Sequence, residues 1–79
     1  MVKHKLVQVI WRDITTTASW TPKDRTNEIE TAICKSVGWL IEQTSKVIKV
    51  AGSQNDDDWG NIDCIPVANV IEIRELRKK

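Results

Sequence analysis

The sequence predicts an all-β domain: a small five-stranded antiparallel barrel with a short helical turn in its first long connection. Three observations predict it. Apolar and polar residues alternate at period two in four separated segments, the mark of strands with one face turned inward. Two β-branched runs, residues 33–41 and 47–51, flank the polar break Glu42-Gln43-Thr44-Ser45-Lys46, the pattern of a hairpin. A dense cluster of turn formers at residues 52–61 then separates that hairpin from two further short β-branched runs.

The first strand is expected over residues 6–14. Val7, Val9, Trp11 and Asp13 share one face and Leu6, Gln8, Ile10, Arg12 and Ile14 the other, so its middle is apolar on both sides and calls for a covering on both. Residues 15–31 form the long connection. Thr21-Pro22-Lys23-Asp24 reads as a capping threonine, a proline at the first helical position and an acid in the first turn, which predicts a helical turn over residues 22–25 with Trp20 pinning the segment to the sheet.

In the central hairpin Val37, Trp39 and Ile41 fall on one face and Ser36, Gly38 and Leu40 on the other. The glycine leaves room for a neighbouring backbone or a sharp bend. Residues 62–65 predict a short strand that Pro66 ends by removing a donor. Val67-Ala68-Asn69 reads as one helical turn leading into a last strand over residues 70–76. A C-terminal helix competes for this segment, but Arg74 and Glu75 stand where its apolar stripe would have to continue. Arg77-Lys78-Lys79 is a basic tail. The expected core is Val9, Val37, Ile41, Ile48, Val50, Ile71 and Ile73. This order of elements and connection lengths is that of an SH3-like or Sm-like barrel, whose closure hides most strand edges.

Composition bounds the function. Residues 1–79 make one domain, of a size that buries only roughly 60 to 65% of the surface exposed by the unfolded chain. Twelve Lys and Arg against eleven Asp and Glu give a net charge of +1, which argues against strong nucleic-acid binding through bulk electrostatics. No apolar run approaches the ~20 residues of a membrane span, and the N-terminus leads directly into an alternating strand. The expected setting is therefore the cytoplasm, with Cys34 and Cys64 as reduced, buried thiols.

Catalysis finds no support. A single histidine, His4, and two separate cysteines supply neither a nucleophile with its base nor a zinc site, and no cofactor is implied. Asp56-Asp57-Asp58 lacks the glycine and terminal glutamate of a calcium loop and reads as a solvated turn. The aromatic residues are four Trp with no Phe or Tyr. Trp11 and Trp39 either fill the core, with Asp13 capping a turn or accepting from Trp20, or they form a stacking pocket. In the second case Trp11, Trp20 and Trp39 stack a base, Asp13 accepts from an amine or ribose hydroxyl, and Arg12 or Arg25 meets phosphate. Trp59 is assigned to loop anchoring or a partner contact.

Trp11-x-Asp13, Trp20, Ser36-Val37-Gly38-Trp39-Leu40, Ile65-Pro66, Val70-Ile71 and Leu76 together resemble a group of small early proteins of tailed bacteriophages. The resemblance spans residues 9–76. It implies a phage-encoded binding protein acting in the host bacterial cytoplasm against a defence pathway, either by sequestering a nucleotide second messenger, cyclic or linear, or by occupying a host defence or regulatory protein. An Sm-like RNA-binding oligomer is a third reading, weakened by the near-neutral charge. Self-association is expected as well: the first and last strands are apolar on more than one side, and an exposed strand edge is commonly paired with a second copy in a closed homo-oligomer.

Overall fold

The computed structural model describes residues 4–76. Five strands form one antiparallel sheet: β1 (Leu6–Asp13), β2 (Ala32–Gln43), β3 (Val47–Gln54), β4 (Trp59–Pro66) and β5 (Val70–Glu75), in the spatial order β4-β3-β2-β1-β5. One 3-10 segment, η1 (Lys23–Glu28), lies in the first connection and another, η2 (Val67–Asn69), links the last two strands. The all-β class, the five strands, the one-turn link and the strand character of the last segment are as the sequence predicts. The sheet curls like a barrel but does not close, so the outer edges of β4 and β5 stay unpaired among the described residues.

The polar breaks are turns with side-chain staples. Thr44 Oγ1 accepts the N–H groups of Lys46 at 3.1 Å and Val47 at 3.0 Å, which reverses the chain between β2 and β3. Asn55 Oδ1 accepts the N–H groups of Asp57 at 3.0 Å and Asp58 at 2.7 Å and closes the β3–β4 turn. Both loops are shorter than the sequence predicts, because β2 runs through Glu42 and Gln43, β3 through Gly52, Ser53 and Gln54, and β4 starts at Trp59. Paired backbone continues wherever a ladder partner exists, whatever the side chain's turn preference.

Val7, Val9, Ile48, Val50 and Ile65 are buried together, and Trp11, Leu40, Val70 and Ile73 pack against them. The concave face of β2 carries Cys34, Ser36, Gly38 and Leu40. Register imposes this: Val7 stands opposite Gly38, Val9 opposite Ser36 and Trp11 opposite Cys34, and directly paired residues share a face. Val37 is therefore 52% exposed on the convex face, with Trp39 half-buried beside it, and Ile71 is 49% exposed beside a register shift in the β1–β5 ladder. These two expected core residues are corrected to surface, and Ile41, half-buried, sits at a second shift in the β2–β3 ladder. Val7, Ala51 and Ile65, all buried, lie outside the expected core.

Gly38 permits the curl. A Cβ there would lie 2.4 Å from the Ala51 carbonyl oxygen and 2.8 Å from its carbon, both backbone atoms that cannot turn aside. Of the two roles open to this glycine from the sequence, the close approach of a neighbouring backbone is present, with β3 pressed against it.

The remaining differences are local. β1 ends at Asp13, before Ile14. η1 starts after Pro22 and makes no side-chain cap bond, so Thr21 is not its cap; the Arg25 N–H instead reaches the Pro22 carbonyl at 2.9 Å. Trp20 does not pin the connection to the sheet, being 101% exposed. Both cysteines are free thiols, but Cys64 is exposed and Cys34 half-buried because neither belongs to the five-residue core. The Arg77-Lys78-Lys79 tail lies outside the described residues.

Two substitutions test this packing by thermal melting. Gly38→Ala should lower stability by about 3 kcal/mol, a fall in Tm of more than about 10 °C, because the backbone at Ala51 must move. Val37→Ser should leave Tm within a few degrees, whereas Val9→Ala, at a fully buried position, should cost about 2 kcal/mol. Equal losses at Val37 and Val9 would contradict the facing of β2.

Candidate functional site

The six residues that the sequence marks for ligand binding divide between four places. Trp11 and Asp13 share the concave face at the end of β1, where the first connection leaves the sheet. Trp11 packs against the core, and its Nε1–H donates to Ser36 Oγ at 3.0 Å across the β1–β2 ladder. Asp13 Oδ1 accepts the Ile14 N–H at 2.8 Å, the turn-capping role open to it from the sequence, and no cation pairs with its carboxylate among the described residues.

Arg12, between them in sequence, projects from the opposite face by strand alternation. Its Nη1 lies 3.5 Å from Thr31 Oγ1 as a donor, and its carbonyl accepts Asn69 Nδ2–H at 3.0 Å, which ties β1 to η2. Trp20 and Arg25 belong to the connection, residues 14–31. Every residue of that segment except Thr21 is exposed, and its two limbs meet where Thr15 Oγ1–H donates to the Glu30 carbonyl at 2.8 Å.

Trp39 is elsewhere. It stands opposite Leu6, on the convex face, five positions along β1 from Trp11 and so roughly 17 Å away. Trp11 and Trp39 cannot clasp one base from opposite faces of a sheet. Trp39 instead meets Trp59, with ring centroids 6.1 Å apart, and the His4 ring stands edge-on to Trp59 at 5.0 Å. His4 Nδ1 also meets the Leu40 carbonyl at 3.1 Å, a bond that needs the proton on that nitrogen. The anchoring role given to Trp59 is met by this stack, which ties the β3–β4 hairpin and the start of the chain to β2. Its members lie far apart in sequence and only the register of three strands unites them, so local patterning could not have found it.

The candidate site is therefore the open end of the concave face: Trp11 and Asp13, with Ala32 and Cys34 opposite them on β2 and Val70 opposite Trp11 on β5. An apolar floor with one carboxylate suits a flat, partly aromatic ligand bearing a hydrogen-bond donor. Among the described residues no group of three or more His, Cys, Asp and Glu could hold a metal ion. No helix among them is long and apolar enough to cross a membrane. Comparison of the chain with protein-family models, curated proteins and solved structures gives no match.

The Trp11–Ser36 bond gives a measurable expectation. Ser36→Ala should cost about 1 kcal/mol and shift Trp11 fluorescence by removing the partner of a half-buried indole N–H, while Trp11→Ala should cost about 3 kcal/mol through lost packing. Melting curves and emission spectra of a variant retaining Trp11 as its sole tryptophan check both.

Proposed function

We propose that the protein is a non-catalytic binder that counters a bacterial defence pathway by sequestering a nucleotide signal at the open end of the sheet. One observation carries this reading: Trp11 and Asp13 share the concave face at the end of β1, and among the described residues the Asp13 carboxylate has only a backbone amide for a partner. A base stacked near Trp11 would offer its exocyclic amine or a ribose hydroxyl to Asp13. Arg12 lies at the rim, long enough to bring its guanidinium to a phosphate from the other face, and Arg25 stands on the adjoining connection as a second cation. The setting implied by the resemblance to phage early proteins is the host bacterial cytoplasm. The protein acts there as a homo-oligomer with no cofactor.

A second reading, occupation of a host defence protein, draws support from the fully exposed Trp20, since tryptophan is a favoured anchor of protein interfaces. An Sm-like RNA-binding ring draws less, because a net charge of +1 provides little of the phosphate neutralisation on which such binding depends.

Thermal shift with linear and cyclic nucleotides, beside a pull-down from host lysate, separates these readings. A cognate nucleotide at a hundred times its Kd should stabilise the fold by about 2.7 kcal/mol, a rise in Tm of roughly 10 to 20 °C. Asp13→Asn should keep the ligand-free Tm within a few degrees and change which base is preferred, and Arg12→Ala should weaken binding roughly tenfold without altering preference. If no nucleotide raises the Tm of the unaltered protein while a host protein is retained, the second reading replaces the first.

A further inference from the structure

The convex side of the β1–β2 pair carries an exposed apolar strip, covered at one end where Trp39 meets Trp59. Ladder register places Trp39 beside Leu6, Val37 beside Gln8, Lys35 beside Ile10 and Ile33 beside Arg12, all on this face. Leu76, whose N–H donates to the Leu6 carbonyl at 2.8 Å, extends the row past β1. Leu6, Val37, Ile33 and Leu76 are exposed and Ile10 and Trp39 half-buried, so β1 is apolar on both faces but covered on only one.

The connection of residues 14–31 has the opposite character, a projection that covers nothing. η1 contributes no buried residue, and Trp20 is as exposed as a free side chain. The chain measures 56 × 27 × 24 Å with a radius of gyration of 16.2 Å, against about 12 Å for a compact domain of this length. An exposed indole and an exposed apolar strip thus coexist on one chain without packing on each other, since Trp20 is fully exposed.

Charge distinguishes the occupant. Asp24, Glu28 and Glu30 on the projection exceed its cations Lys23 and Arg25 and form no ion pair among the described residues. On the convex face Glu72 and Arg74 pair with each other, while Lys35 and Arg12 find no carboxylate. The projection of one molecule therefore matches the face of another in apolar character and in sign. Edge-to-edge pairing is the less favourable route: β4 holds Asn61 in the left-handed region at φ 52° and ends in Pro66, and β5 is six residues long with charges at Glu72, Arg74 and Glu75, all devices that blunt an edge.

We propose that the projection of one copy docks on the convex β1–β2 face of a second, Trp20 against the strip around Val37, in a reciprocal two-fold dimer. Each chain supplies one projection and one face, so the contact is made twice and the symmetry closes. Trp20 is the anchor, and Arg12 and Lys35 face the acids of the partner's projection around it.

Size-exclusion chromatography with light scattering tests this on the full chain. The unaltered protein should be a dimer at micromolar concentration. Trp20→Ala and Val37→Glu, both at exposed positions outside the buried core, should each raise the dissociation constant roughly thirtyfold or more, as expected of an interface hot spot. A mixture of the two variants should associate better than either alone, because the Val37→Glu chain retains its Trp20 and the Trp20→Ala chain retains its face. A monomeric unaltered protein, a Trp20→Ala variant that dimerises like the parent, or a mixture that associates no better than its components would each overturn the proposal.

Discussion

The close approach of β3 to Gly38 is the constraint on which the rest of the structure depends. A single sheet can enclose a core only by folding onto its own face, and β2, twelve residues long and central in the strand order, has to make that bend. With a Cβ at residue 38 the Ala51 backbone would be held off, and the half of the sheet carrying Ile48, Val50 and Ile65 could not close over Val7 and Val9. The register shift between Leu40 and Glu42 adds to the bend by placing an extra residue in β2. Glycine at this one position allows a core of five buried aliphatic residues to form without a second sheet or a covering helix.

So small a core leaves much for side chains outside it to do. The stack of His4, Trp59 and Trp39 holds the convex side of the hairpin, and Trp11 holds the concave side of β1 through its packing and its bond to Ser36. Three of the four tryptophans thus serve the fold as amphipathic fillers, each combining a large apolar face with a single donor. The fourth, Trp20, contributes nothing to its own chain, and what singles it out is its environment rather than its residue type.

The open sheet also bears on the candidate site. Trp11 and Asp13 stay half-buried at the end of β1, and the sheet does not close between β4 and β5. On the convex face Val37, Ile33 and Leu6 remain exposed.

Local patterning was enough to determine the five strands and the one-turn link after Pro66, because each follows from backbone preferences within a few residues. It could not determine which face of β2 turns inward. Val37-Trp39-Ile41 is the more apolar of its two alternating sets, yet the ladder with β1 puts Ser36 and Gly38 opposite Val9 and Val7 and so sends Val37 outward. Register is a long-range quantity, fixed by how whole strands slide against one another, and a shift of one residue exchanges the faces completely. The same holds for the tryptophans: that Trp11 sits with Asp13, Trp39 with Trp59, and Trp20 with neither was decided by strand pairing across the sheet, since proximity between residues distant in the chain is a property of the tertiary structure alone.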